Sequence, residues 1–255
     1  MRRPPPTRLQ SALRRWRRLL DRPATDEKRV HDARVVLKEA RALLRLFRSA
    51  MSESRSLALD QRFRQVMKAL APARDQLIIR QVLADQLGRI DAPFDRDTLL
   101  AALPPVTRPK PAALRRVGPA LDEFERHLSP VVRACAWETI DQAFHDACRR
   151  VRRLQRQARH DASPALWHRW RRRVKALAYQ ADFVSPANHP EWKEWREQAW
   201  HLQAKLGELQ DLHITLDCLQ KLHLPPQSLA PLRSRLQVAA KKARRAAWRA
   251  RLRME

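Results

Sequence analysis

Glycine is almost missing from this chain, with three residues in 255. Val, Ile, Thr and Tyr are sparse beside Ala, Leu and Arg. A sequence so poor in β-branched residues and turn glycines argues against a sheet-rich fold and for an all-helical one. Cysteine occurs three times, as Cys135, Cys148 and Cys218, with no C-x-x-C pair. That excludes a disulfide framework or zinc knuckle and makes a reducing compartment the default. No apolar run approaches the ~20 residues of a membrane span. The opening "MRRPPPTRLQ" lacks the apolar core of a secretory signal. The chain therefore reads as cytoplasmic. Acids are outnumbered, with 27 Asp and Glu against 53 Lys and Arg, for a formal charge of +26.

What is present is a globular composition, 44% hydrophobic, in a chain long enough for one large or two small domains. A charge of +26 opposes the compact state by self-repulsion, which points to a polyanionic partner. Nucleic acid, an anionic membrane and polymeric phosphate all satisfy that demand.

Helical periodicity runs almost throughout. It predicts helices near 7–20, 27–49, 54–70, 72–88 and 95–103, then near 120–128, 131–159, 164–184, 189–222 and 227–252. The Pro-rich stretch "PPVTRPKPAALRRVGP" (104–119) interrupts them as a linker. Pro130, "DASP", "SPANHP" and "LPP" mark further breaks, and Asp26 and Ser163 occupy expected N-cap positions.

In "VHDARVVLKEARALLRLFR" (30–48) the frame Val30, Ala33, Leu37, Ala40, Leu44, Phe47 is wholly apolar. The frame one residue on is His31, Arg34, Lys38, Arg41, Arg45, Arg48. A solvated charge stripe would lie opposite the apolar one. This one lies only about 100° away, at the edge of the helix–helix seam, where it faces whatever crevice the helices form.

The pattern recurs. "WHRWRRRVKALAYQADFV" (167–184) has the apolar frame Trp167, Trp170, Val174, Leu177, Ala181, Val184, with His168, Arg171 and Lys175 beside it, offset by 137 residues. "LAPARDQLIIRQVL" (70–83) pairs likewise with "LGELQDLHITLDCL" (206–219), with Asp75 opposite Asp211 at an offset of 136. Two matches in nearly one register imply an internal duplication, with halves of roughly 9–103 and 120–255.

At these residues the sequence resembles the CHAD family, the conserved histidine α-helical domain. Two helices beginning H-x-x-R-x-x-x-K, each followed by an L-G-x-x-x-D-like segment, carry the resemblance, which spans essentially the whole chain as a single, stand-alone domain. It implies two pseudo-symmetric helical bundles with a basic groove or pore between them. It further implies binding of inorganic polyphosphate and possible association with polyphosphate or polyester granules. The sequence departs from the family pattern at Ala178, where the family has Arg. It also has Ala71 for Gly, Gln210 for Asn, and Asp182 where the first copy has Arg45. The second cationic track is therefore expected to be shorter, with Arg172 and Arg173 compensating in part.

The residues expected to contact polyphosphate are His31, Arg34, Lys38, Arg41 and Arg45 in the first half and His168, Arg171, Arg172 and Lys175 in the second. Arg149, Arg153 and Arg156, at 4 and 3 spacing on the preceding helix, are expected to form another wall. Guanidinium forks and ammonium groups suit phosphate oxygens. Trp167 and Trp170 occupy the apolar frame and so belong to the core rather than to a stacking platform. Asp75 and Asp211 are expected to hold neighbouring cations. Serine-nucleophile motifs, Walker loops and H-E-x-x-H are absent, so no enzyme, cofactor or metal is expected. The rival readings are a nucleic-acid-binding protein without sequence specificity and a metal-dependent phosphohydrolase, which would need carboxylates beside the cations.

Overall fold

A computed structural model describes residues 4–88, 96–105, 111–161, 163–185 and 190–252. Among these residues every regular element is helical. The order is α1 (Pro5–Asp21), α2 (Asp26–Leu46), a 3-10 turn (Arg48–Ala50), α3 (Glu53–Ala69), α4 (Ala71–Leu87), α5 (Arg96–Ala102), α6 (Pro111–Arg115), α7 (Val117–Ala134), α8 (Trp137–His160), α9 (Pro164–Val184), α10 (Pro190–Gln220) and α11 (Pro226–Arg249).

Local chemistry sets the boundaries, and in three places it differs from the sequence expectation. Thr25, not Asp26, caps α2, its hydroxyl accepting from the Lys28 amide at 3.4 Å, while Asp26 and Glu27 complement the positive helix end inside the first turn. Ser163 caps α9 as expected. Pro130 does not end a helix. It lies inside α7, which stops at Ala134. Pro130 and Arg126 are both exposed, so the carbonyl deprived of its amide partner meets water. The Pro-rich stretch is also shorter than expected. Pro111 opens α6 and Pro119 falls in the first turn of α7, where a missing N–H costs little; residues 106–110 of that stretch lie outside the described residues.

The α2 and α9 helices form the centre. α2 packs on α1, α3, α4, α7, α8 and α9, and α9 on α8 and α10; α10 in turn covers α4 and α11. All six members of the apolar frame of α2 and all six of α9 are buried. Because α2 is surrounded, Val36, Leu43 and Leu46 are buried as well. One contiguous apolar core runs from Leu9 to Leu252. At the α2–α9 seam, alanines let the helices approach: Ala42 and Ala176 pack with Tyr179. There the buried Gln180 amide donates across to the Ala42 carbonyl at 2.9 Å, and Phe47 meets Phe183 edge-on at 5.6 Å. Trp170, fully buried, packs against Trp167 and Trp248 at 5.3 and 6.2 Å between centroids, which is the core role expected of the frame tryptophans.

Candidate functional site

The seam of α2 and α9 is closed on its apolar side and open along its boundary positions. Successive boundary residues of a helix recur every three or four positions, so each helix presents a row of them. Arg34, Lys38, Arg41 and Arg45 of α2 and His168, Arg171, Arg172 and Lys175 of α9 line one cavity of about 280 Å³. The remaining walls are Met67 of α3, Asp75 of α4, Ala176 and Tyr179 of α9, and Gln210, Asp211 and Ile214 of α10. Seven Lys and Arg side chains thus share the space with two aspartates.

Several of these groups are fixed by partners. Arg41 donates to Asp60 at 2.8 Å and touches the Met67 sulfur at 3.7 Å. The Arg34 guanidinium donates to the Met67 carbonyl at 3.1 Å. Nδ1–H of His168 donates to the Gln210 side-chain oxygen at 2.6 Å, which fixes the ring and leaves Nε2 for anything entering the cavity. Burial alone would raise the Asp60 carboxyl. The hydrogen bond from Arg41 and the charges of Arg41, Arg45 and Arg64 hold it below its ordinary value instead.

Arg45 differs from its neighbours. It is mostly withdrawn from water and has no hydrogen bond or ion pair among the described residues. Burial, and then the like charges of Arg41, Arg173 and Arg64, lower its pKa to about 10, with Asp60 acting in the other direction. It still carries its charge at neutral pH. A guanidinium so placed, desolvated and without an ion pair, has planar N–H donors of the kind that suit phosphate oxygens.

Two acids, Glu39 and Asp182, act on Tyr179 of the cavity wall. Glu39 is buried and paired with Arg15, and desolvation keeps its pKa raised. The Asp182 carboxyl is raised by burial too and accepts from the Trp200 indole at 3.2 Å. Burial pushes the Tyr179 hydroxyl up as well, with the charges of Glu39 and Asp182 adding to it, so it stays neutral. Ala178 is fully buried; the Arg usual in the family would have no room there.

Eight of the twelve sequence-derived contact residues are brought together, and four are not. His31 is exposed near the start of α2 and does not line the cavity. Arg149, Arg153 and Arg156 are exposed on α8, away from the cavity, and Arg149 is paired with Asp146. Sequence reasoning missed Tyr179 and Gln210, and it gave Asp75 and Asp211 no place in the site. The shared offset of the two aspartates and their place in the L-G-x-x-x-D-like segments were the signals for them. Among the described residues no cluster of three or more His, Cys, Asp or Glu could hold a metal ion, and no helix is long and apolar enough to cross a membrane.

The family model of the CHAD domain matches residues 7–220, that is α1 through α10, leaving α11 outside. Comparison with curated proteins and with solved structures gives no match.

Proposed function

Because this chain belongs to the CHAD domain family, we propose that it binds inorganic polyphosphate non-covalently in the α2–α9 cavity, without turning it over. The observation that carries the reading is the convergence of Arg34, Lys38, Arg41 and Arg45 with Arg171, Arg172 and Lys175 in one concave space. Low-dielectric walls focus that charge on a slender linear polyanion.

The same geometry disfavours the rivals. Duplex DNA is read by elements that protrude into a groove, whereas these side chains point into a cavity of about 280 Å³. Single-stranded nucleic acid is gripped by exposed aromatic faces. Here the Tyr179 ring is packed edge-on to Trp200 at 5.1 Å, and Trp167 and Trp170 are buried. For hydrolysis, the carboxylates beside the cations are Asp75 and Asp211, and among the described residues no group of three or more His, Cys, Asp or Glu could hold a metal ion with them.

The proposed duplication finds support in the element bounds. α3 starts at Glu53 and α10 at Pro190 (190 − 53 = 137), while α2 starts at Asp26 and α9 at Pro164 (164 − 26 = 138). In the first half the wall is divided between α3 and α4 at Leu70, before Pro72; the corresponding stretch of α10 is uninterrupted.

Competition tests the reading. Labelled long-chain polyphosphate, bound at fixed salt, should resist displacement by double-stranded DNA until the DNA phosphate is at least about tenfold in excess. Displacement at equal phosphate concentration would transfer the function to nucleic acid.

The two histidines separate in a second measurement. His168→Ala removes a hydrogen-bonding wall residue and should weaken polyphosphate binding about two- to tenfold. His31→Ala should leave the affinity within about twofold. Equal losses, read by calorimetry on the two variants, would place His31 in the site after all.

A further inference from the structure

Arg45 stands in the wall of the α2–α9 cavity. That residue also lines a second, larger cavity of about 970 Å³, and it is the one residue common to both. The two cavities divide the neighbouring cations between them. On α9, Arg172 lines the smaller and the next residue, Arg173, the larger. On the α2 side the row Arg34, Lys38, Arg41 lines the smaller, and Arg48, one turn past Arg45, lines the larger. Arg64 and, from α8, Arg150 complete its cationic side.

These charges are not mutually neutralised. Arg150 and Arg173 have no ion pair or hydrogen bond among the described residues. Arg64 is bound to Asp60, and Arg48 to Glu53 at 3.3 Å. Of the acids that line the larger cavity, Asp60 and Asp146 are engaged by arginines; Glu138 has no ion pair among the described residues. Burial, and then the charges of Arg150, Arg172 and Arg48, hold the Arg173 pKa below its ordinary value. The cationic row from Arg34 to Arg45 rises roughly 16 Å along the axis of α2 at 1.5 Å per residue, and Arg48, in the 3-10 turn that follows, extends it. A triphosphate is too short to follow all of it.

Resting on the polyphosphate reading above, we propose that the site has two chambers joined at Arg45. The smaller grips one stretch of the polyanion, Arg45 carries it across, and Arg150 and Arg173 hold its continuation in the larger chamber. The protein then selects long inorganic polyphosphate over tripolyphosphate through contacts that only a long chain can make together. Two linked half-sites on one ligand gain affinity by effective concentration, without any stronger single contact.

The test uses the full chain and two probes, tripolyphosphate and long-chain polyphosphate. Arg150 and Arg173 are exposed, so Arg150→Ala with Arg173→Ala leaves the core untouched; circular dichroism and the melting temperature check this. The double variant should bind the long chain at least about fivefold more weakly. Its log–log salt slope should be shallower by about 1.4, two phosphates' worth at the single-strand coefficient. Tripolyphosphate affinity should change less than about twofold. Glu138→Gln removes the unpaired carboxylate and should act oppositely, tightening the long chain alone. Equal loss for both probes, or no loss for either, overturns the two-chamber proposal while leaving polyphosphate binding in place. Wild-type protein that binds neither probe overturns the parent reading and this one with it.

Discussion

Lys38→Glu should weaken binding of long-chain polyphosphate by about a hundredfold, and Lys175→Glu by a similar factor. Each lysine reaches the same cavity from a different helix, Lys38 from α2 and Lys175 from α9. A hydrogen bond to a charged group contributes about 1.5–3 kcal/mol, which corresponds to about 13- to 160-fold in affinity. Reversal adds repulsion to that loss and places the effect toward the upper end. Combining the two reversals should cost less than the product of the single effects, since groups that share one ligand couple. Isothermal titration of the four proteins measures this. Two independent binding events, one abolished by each substitution, would mean that α2 and α9 serve separate sites.

The second large effect is the dependence on salt. Seven Lys and Arg side chains and two aspartates line the smaller cavity, a surplus of five positive charges. If a bound chain has five to seven of its phosphates neutralised, log affinity should fall against log salt with a slope of roughly −3.5 to −5. Between 50 and 200 mM salt that is a loss of about a hundred- to a thousandfold. Polarisation titrations of labelled polyphosphate at four or five salt concentrations give the slope. A slope shallower than about −2 would mean that few ion pairs form and that the converging charges are not the binding determinant.

The sequence carried the part of this site that depends on position around a helix. Every residue of the two apolar frames is buried, and Arg34, Lys38, Arg41, Arg45, Arg171 and Lys175, one step round each helix, meet in a single cavity. On α8 the same one-step rule points to Arg149 and Arg152, beside the buried Cys148 and Val151, whereas the 4 and 3 spacing picked Arg149, Arg153 and Arg156. Those three face solvent. Arg150, exposed as they are but one position before Val151, lines the larger cavity. His31 lies outside the cavity for a different reason. It matches His168 in sequence, but His168 is fixed by Gln210 on the uninterrupted α10, and His31 is exposed. Which residue a helix meets across a seam is set by its neighbours' packing, and no periodicity within the helix encodes it. The same holds for Asp60, whose pairing with Arg41 joins residues 19 apart on different helices.

Arg45 has a consequence for the protein's persistence as well as for its ligand. A guanidinium kept from water without a carboxylate is a cost borne by the folded chain in isolation. On the proposed reading, bound phosphate converts that cost into attraction, and only in the native state. Ligand at a hundred times its dissociation constant therefore adds about 2.7 kcal/mol to the free energy of unfolding. Proteases act on whatever fraction of the chain is open. If the chain binds polyphosphate as proposed, the amount of protein that survives is coupled to the supply of that polyanion, and when the supply is exhausted the chain becomes more vulnerable to degradation.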